Sequence, residues 1–202
     1  MLYKEIQSLS KNAITKTFKK GDLIYSQDEV PENIYIIKTG LVGLFHNSEN
    51  GKEVFLRVFN EGSLFGHRSY FAKSPYHANS VALSNSEVMI IPHEECSSIC
   101  ELRPDLLMQV VQGLASDLGH AELRLAGLQD KSVARRVCEA LVFLKLKYPE
   151  QVWKRKEIAD FSVTTFESVA RVMTQLSEAH IITKDGRDFI INDVEKLLSF
   201  NT

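Results

Sequence analysis

The pattern of apolar and polar positions is strand-like in the first half of the chain. From about Phe18 to Pro92, short runs rich in β-branched and aromatic residues, such as NIYIIKTGLVGLF, KEVFLRVF and SEVMIIP, alternate with glycine-bearing turns. Short strands at this spacing predict a barrel, roll or sandwich. The Asn50-Gly51 pair between two of these runs predicts a β-hairpin.

The pattern becomes helical from Asp105 to Gln129, where apolar positions alternate spacings of four and three. They are Leu107, Val111, Leu114, Leu118, Ala121, Leu125 and Leu128. This heptad seam favours a coiled coil over a helix packed on its own chain. Because Gly113, Gly119 and Gly127 lower helix propensity, the helix needs a partner surface. We therefore expect a homodimer.

A second amphipathic helix, SVARRVCEALVFLKLKYPE, follows and stops at Pro149. The segment from Gly127 to Ser132 between the two helices is the expected domain boundary. We expect a strand-rich domain at 1–104, a dimerisation helix and hinge at 105–130, and a C-terminal domain at 131–202.

Two short helices separated by SVTT follow in the C-terminal part, KRKEIADF and TFESVARVMTQLSEAH. The spacing in the second predicts a buried face of Val169, Val172, Met173 and Leu176. Its opposite face carries Glu167, Ala170, Arg171 and Thr174. Two short helices joined by a tight turn, the second with a polar outer face, are typical of a helix-turn-helix.

The polar face of this second helix fits the major groove of DNA. Arg171 can donate two hydrogen bonds to guanine, and Glu167 can accept one from cytosine. Thr164 and Thr165 place hydroxyls and free backbone N–H groups where a phosphate would lie. The alternative for Glu167 and Arg171 is an ordinary i,i+4 ion pair, but their place in the helix favours base contact.

The segment HIITKDGRDFIIND predicts a hairpin behind the second helix. Two apolar strands are joined at Asp185-Gly186, a pair typical of a type I′ turn. Lys184 and Arg187 flank this turn. A basic hairpin beside a recognition helix is a wing, and we expect its cations to contact phosphate.

Composition and charge permit this interpretation without requiring it. The chain is 44% apolar and 25% charged, which is ordinary for a globular protein. Its net charge is −2, yet the part from Lys131 onward has twelve Lys and Arg against ten Asp and Glu. No apolar run could cross a bilayer, and the N-terminus lacks a signal-peptide core. We expect a cytoplasmic protein with no membrane partner.

The chain has three cysteines, and this odd, widely spread set argues against a disulfide framework. No C-x-x-C pair is present to indicate a zinc site. Cys96 and Cys100 would share one helix face. They could contribute to a metal site, but free cysteines usually pack as small apolar groups.

The stretch EIADFSVTTFESVARV resembles the recognition signature of the Crp/Fnr family of bacterial transcription regulators, roughly E-I-A-x-x-x-G-x-T-x-E-T-V-S-R. Val163 stands for the turn glycine, Ser168 for Thr, and Ala170 for Ser or Gly. The blocks YIIKTG, GKEV and EGSLFG extend the resemblance over nearly the whole chain. It implies an α+β fold: an N-terminal antiparallel, jelly-roll-like β-roll as sensor, a long central dimerisation helix and a C-terminal winged helix-turn-helix.

The resemblance further implies a homodimer on a near-palindromic site of double-stranded DNA, and contact with RNA polymerase. We expect base contacts from Phe166, Glu167, Ala170 and Arg171. We expect phosphate contacts from Thr164, Thr165, Ser168, Lys184 and Arg187. Phe166 replaces an arginine of the catabolite activator subgroup; its ring can rest on a thymine methyl, or pack on Phe161 or the wing.

The sensor half departs from cyclic-nucleotide-binding members of the family. Those carry a glutamate for the ribose and an Arg-Ser pair for the phosphate, where this chain has His67 and then His77 and Ala78. A buried phosphate needs a fixed cation and hydroxyl or backbone donors, so cyclic AMP or GMP is not expected. The candidate effector pocket comprises Gly66, His67, Arg68, Ser69, His77, Ala78 and Asn79. The effector is something other than cyclic AMP, or there is none.

No cofactor is predicted. An iron–sulfur cluster would need an N-terminal group of cysteines, and none precedes Cys96. Haem is not expected either, because a lone histidine is usually a hydrogen-bonded side chain; the histidines on the roll are His46, His67, His77 and His93.

Two classes of protein other than a DNA-binding regulator fit the sequence less well. A cupin-like enzyme or metal protein would need an H-x-H pair, and no such pair, nucleophile elbow or phosphate loop occurs. An enzyme is therefore not expected. A sensor acting through a protein partner is disfavoured by Glu167, Arg171 and the basic wing. A cyclic-nucleotide- or haem-responsive regulator stays as the alternative.

Overall fold

The computed structural model describes residues 2–49, 51 and 53–200. The chain folds into two compact units, Met1–His120 and Ala121–Thr202. One long helix, α4 (Pro104–Asp130), runs from the first unit into the second.

The described residues of the first unit form eight strands: β1 (Ile14–Phe18), β2 (Leu23–Tyr25), β3 (Asn33–Thr39), β4 (Val42–Asn47), β5 (Glu53–Phe59), β6 (Leu64–Phe65), β7 (Asn79–Ala82) and β8 (Ser86–Pro92). Its helices besides α4 are α1 (Leu2–Leu9), α2 (His67–Ala72) and α3 (His93–Leu102). The strands form two antiparallel four-stranded sheets, ordered β1-β8-β3-β6 and β2-β7-β4-β5. The predicted α+β fold with an N-terminal antiparallel roll is confirmed. Strands β4 and β5 pair with each other, but the predicted Asn50-Gly51 turn includes Asn50, which lies outside the described residues.

Strand β3 separates the two apolar clusters of this unit. Side chains alternate sides along a strand, so the four consecutive buried residues of β3 divide between them. Tyr35 and Ile37 face the roll interior. Ile34 and Ile36 pack in a second cluster with residues of α1, α3 and α4. The sequence of β3 is apolar at consecutive positions because both faces of the strand are covered.

Aromatic rings fill much of the roll interior. Tyr25 stacks on Tyr76 with ring centroids 3.8 Å apart, and Tyr35 lies 5.1 Å from Phe65. The Tyr76 hydroxyl donates to the backbone carbonyl of Asn33 over 2.9 Å, so its polar end is satisfied.

The second unit contains, after the end of α4, α5 (Val133–Lys147), α6 (Arg155–Phe161), α7 (Phe166–Glu178), β9 (Ile182–Asp185), β10 (Asp188–Ile191) and α8 (Val194–Ser199). Helix α5 begins after Ser132, whose side chain accepts a hydrogen bond from the Arg135 backbone N–H. Val137, Leu141 and Leu144 of α5 are fully buried. Strands β9 and β10 pair antiparallel as the predicted hairpin.

The predicted type I′ turn at Asp185-Gly186 is wrong. Asp185 pairs with Asp188, so the two loop residues are Gly186 and Arg187. Only Gly186 has a positive φ, of 57°, which is the pattern of a type II′ turn. A type I′ turn at the predicted place would force Asp185 into the left-handed region as well. The apolar alternation could not distinguish these registers, because both keep Ile182 and Phe189 on one face.

The cysteines pack as apolar groups. Cys96 and Cys138 are buried and all three cysteines are free. Burial raises the pKa of the Cys96 thiol to about 12 and that of Cys138 to about 11. Among the described residues, no group of three or more His, Cys, Asp or Glu is placed to hold a metal ion. None of the helices described has the length and apolarity to cross a bilayer.

Candidate nucleic-acid interface

Helices α6 and α7 form the predicted helix-turn-helix. The side chain of Glu157 stabilises the start of α6 by accepting a hydrogen bond from the Lys154 backbone N–H over 2.7 Å. Thr165 caps α7, since its hydroxyl oxygen accepts from the Ser168 backbone N–H over 3.2 Å. The Thr164 backbone N–H donates to the carbonyl of Ala159 over 3.0 Å and closes the turn. Hydroxyl groups therefore lie at the start of α7, where the sequence places them.

The turn contains a strained residue. Val163, which stands where the family signature has glycine, has a φ of 51°. A β-branched side chain in this left-handed region costs about 1–3 kcal/mol, which glycine would avoid. The backbone path of the family turn is therefore kept here despite the side chain.

Arg136 of α5 holds this turn from behind. Its guanidinium donates to the carbonyl oxygens of Ser162 and Val163, over 3.1 and 3.2 Å, and to that of Lys131 over 3.0 Å. Sequence reasoning missed this residue because in SVARRV it is one of two adjacent arginines with no distinguishing spacing.

Phe161 at the end of α6 is also held from within the second unit. Its ring stacks on Phe143 at 5.3 Å, and the Arg124 guanidinium lies 4.7 Å from the same ring and donates to the Phe161 carbonyl. Phe166 stays 49% exposed at the first position of α7. The Phe161 ring is engaged elsewhere, so the exposed Phe166 ring is available to a partner.

Glu167 and Arg171 lie exposed on the first two turns of α7. Within the described part of the chain, neither side chain forms an ion pair. The i,i+4 salt bridge that would have been the ordinary explanation is therefore not made. Ala170 lies between them, half-buried, and its carbonyl accepts from the Thr174 hydroxyl over 2.9 Å. A free carboxylate and a free guanidinium thus project from one helix face.

The hairpin presents its cations to solvent. Lys184 and Arg187 are exposed, on β9 and in the loop. Lys145 of α5 forms an ion pair with Asp188 and lies 5.5 Å from the Phe189 ring, which fixes the hairpin on its own unit. The wing therefore offers two unburied positive charges at its tip.

The seam predicted on α4 is largely uncovered in the single chain. Leu118 and Leu125 are each 61% exposed and Val111 is 48% exposed. Leu107, Leu114 and Leu128 are partly buried, and Ala121 is exposed. Exposed leucines that repeat along one helix form an apolar surface of the kind found at interaction sites.

The predicted effector-pocket residues have divided roles. Ser69 donates to the carbonyl of Pro75 over 3.1 Å, and Asn79 accepts from the Gln27 backbone N–H over 2.9 Å, so both side chains make hydrogen bonds within the chain. Ala78 is buried in the roll core and Arg68 is exposed. Gly66 has a φ of 78°, and a Cβ there would lie 2.9 Å from the Tyr35 ring.

The two histidines of this pocket are neutral at physiological pH. Burial lowers the pKa of His67 to about 4. The nearby charge of Asp117 opposes this shift, and that of Arg57 adds to it. Burial, then Arg68, His46 and Arg57, lowers the pKa of His77 to about 4. His77 also accepts, at its carbonyl, a hydrogen bond from His46 Nδ1 at 2.9 Å. Neither ring supplies a positive charge for a phosphate.

Comparison with known proteins agrees with this geometry. A family model described as a cyclic nucleotide-binding domain matches residues 15–103, and one described as a Crp-like helix-turn-helix domain matches residues 135–200. A cAMP-activated global transcriptional regulator CRP from Pasteurella multocida is 26% identical over 193 residues, 91% of each chain. An uncharacterised protein from Haemophilus influenzae is 36% identical over 115 residues, which are 55% of this chain and 88% of that one.

The fold is also that of solved regulators. FixK2 from Bradyrhizobium japonicum superposes with a TM-score of 0.82 at 22% identity, covering 94% of this chain and 98% of that one. A roll followed by a long helix and a winged helix-turn-helix defines a DNA-binding transcription regulator. The chain belongs to the Crp/Fnr family.

Proposed function

We propose that this regulator binds a near-palindromic promoter site as a homodimer, with α7 of each copy in the major groove. Base contacts come from Phe166, Glu167, Ala170 and Arg171, and phosphate contacts from Thr164, Thr165, Ser168, Lys184 and Arg187. Its functional parts are the roll at 1–104, the dimerisation helix and hinge at 105–130, and the DNA-binding domain at 131–202. The effector is not cyclic AMP, if the protein needs one at all.

One observation carries the DNA-binding part of the proposal. Glu167 and Arg171 are exposed and unpaired on the helix that follows the turn. A free guanidinium can donate two hydrogen bonds to guanine, and a free carboxylate can accept one from cytosine. A purely structural helix face would instead gain a few tenths of a kcal/mol by pairing the two charges.

The uncovered seam of α4 supports the homodimer. Two copies placed side by side would bury Leu118, Leu125 and Val111, which are exposed in one chain. Two-fold symmetry of the protein then corresponds to the near-palindrome of the site, with half-sites one helical turn apart. Contact with RNA polymerase and a cytoplasmic location are further expectations for such a regulator.

The roll supports an effector other than cyclic AMP. The positions that would hold a cyclic phosphate carry His77, which is neutral, and Ala78, which is buried in the core. The relative from Pasteurella multocida is named as cAMP-activated. The residues needed for a phosphodiester are replaced in this chain, so we do not extend that effector to it.

Selection of bound sequences from a random DNA pool, run with and without cell extract, tests the proposal. We expect an enriched inverted repeat, and binding that weakens steeply with salt because phosphate contacts release counterions. Enrichment that appears only with extract would indicate a required effector. Retention of random sequences with no repeat would refute site-specific binding by a dimer.

A further inference from the structure

A β-bulge turns one arginine toward the core of the roll. On strand β5, Phe55 pairs with Phe45 while Arg57 pairs with the adjacent Leu44, so Leu56 is an extra residue. Directly paired residues share one sheet face, and Leu44 belongs to the roll core. Arg57 therefore lies on the core-facing side. Bulges of this kind occur next to functional sites, where they re-aim a side chain.

The same sheet row carries a buried hydroxyl without a partner. Leu44 pairs on its other side with Ser80 of β7, which is fully buried. Among the described residues, Ser80 Oγ and His67 Nδ1 are the buried side-chain atoms that make no hydrogen bond. A buried polar group left unpaired is destabilising, and a ligand with polar atoms would supply the missing hydrogen bond.

His67 belongs to the surroundings of Arg57. The charges of Arg57 and of Asp117 both act on its ring, and the ring itself is more than nine-tenths buried. His67 and His77 are both neutral, so the cations acting on this part of the roll are Arg57 and the exposed Arg68. Of the two, Arg57 lies in the sheet row that includes Leu44 and Ser80. One fixed guanidinium suits a single negative charge.

The Arg57 guanidinium already pairs with a carboxylate of the protein. Arg57 forms an ion pair with Asp117 of α4, and the two side chains are 31% and 37% exposed. The guanidinium is thus oriented for a carboxylate. A partly exposed pair of this kind contributes little to stability, because water screens both charges. A competing carboxylate that also satisfies Ser80 and His67 would displace Asp117.

We propose that Arg57, Ser80 and His67 form the binding site of a small organic carboxylate, which takes the place of Asp117 on Arg57. This deepens the proposed function by naming the effector class, and rests on it only in treating the roll as the sensor. Asp117 lies beside Leu118 of the seam, so displacement of its carboxylate acts on the helix that pairs two copies.

Chemical rescue tests the site. Asp117→Ala removes the internal carboxylate, and Tm is followed in the full chain with sodium acetate, succinate or benzoate, against sodium chloride at equal ionic strength. We expect at least one carboxylate to raise the Tm by about 2–4 °C beyond chloride. Asp117→Asn carries the same measurement if Asp117→Ala does not fold. Cyclic AMP and inorganic phosphate form the phosphate arm.

Two double variants test whether the carboxylate response depends on Arg57. Arg57→Gln with Asp117→Ala should lose the carboxylate response. Arg103→Gln with Asp117→Ala should keep it, because Arg103 is an arginine of the same unit paired with Asp105 at 2.7 Å elsewhere. A response that survives Arg57→Gln, no response to any carboxylate, or a larger response to the phosphate arm would overturn the inference.

The outcome is separable from the proposed function. DNA binding by the same preparations is measured by gel shift. Absence of a carboxylate response in Asp117→Ala with intact DNA binding refutes the effector site alone. A carboxylate response in Asp117→Ala without DNA binding by the unmodified protein refutes the regulator's proposed mode of binding.

Discussion

The Arg136 guanidinium donates a hydrogen bond to the backbone carbonyl of Val163 over 3.2 Å. It ties the middle of the helix-turn-helix to α5, and its second donor reaches the neighbouring carbonyl of Ser162 over 3.1 Å. The position of α7 therefore depends on a side chain outside the two helices of the helix-turn-helix.

Arg136→Gln should lower the free energy of unfolding by about 1–3 kcal/mol, because these carbonyls lose charge-assisted hydrogen bonds. Urea denaturation measures this. Arg135→Gln on the same helix is the matched control; it removes only a partly exposed pair with Glu139 and should cost about 0–1 kcal/mol. Equal losses in the two variants would contradict the anchoring role.

Val163→Gly should raise the free energy of unfolding by about 0.5–1 kcal/mol. Relief of the strain at a φ of 51° exceeds the greater freedom of glycine in the unfolded chain. Val133→Gly at the start of α5, where φ is negative, is the control and should destabilise. Thermal or urea denaturation compares them, and a destabilising Val163→Gly would show that packing outweighs strain.

Periodicity was sufficient for the elements that carry one regular apolar face. The roll strands, the long helix and the buried Val169, Val172 and Leu176 face of α7 follow from spacings of two, or three and four. A pattern of this kind also placed Glu167 and Arg171 on the outer face. The periodic pattern did not predict α1, a short helix that packs into the second apolar cluster with Ile6.

The structural roles of single charged residues could not be predicted from the sequence. Arg57 faces the core only because Leu56 is bulged, and a bulge leaves no mark on alternation that can be read beforehand. Arg136 looks like any surface arginine until the turn carbonyls are placed beside it. The same holds for the loop at Gly186-Arg187, which the apolar pattern leaves undecided between two registers.

Arg171→Ala should weaken binding to the selected site by about 1–3 kcal/mol and relax preference at one base pair. The fold should be unchanged, since the side chain is exposed and unpaired. Lys184→Ala is the comparison: it should weaken binding to every sequence similarly and reduce the salt slope by about 1. Fluorescence anisotropy on cognate and random duplexes measures both. Equal loss on both duplexes from Arg171→Ala would contradict base reading.

Leu118→Glu should convert the dimer to monomer at micromolar concentration, because a carboxylate in a coiled-coil seam would be buried against its symmetry mate. Leu123→Glu is the matched control on the same helix; Leu123 is 71% exposed but off the seam. Sedimentation velocity distinguishes the two. A Leu118→Glu protein that remains dimeric would place the interface elsewhere.

Stability should fall as the pH falls from about 6.5 to about 4, because the roll keeps His67 neutral. The pKa of its imidazole drops from an ordinary 6.5 to about 4, chiefly through burial. Over this interval the unfolded chain binds more protons than the folded one, so stability rises with pH and is fully present above 6.5.

Urea denaturation at pH 7, 5.5 and 4.5 measures this. The loss in the free energy of unfolding should be smaller in His67→Gln than in the unmodified protein. His180→Gln, at an exposed site, should leave the loss unchanged. A pH dependence that His67→Gln does not alter would assign it to His77 and other groups instead.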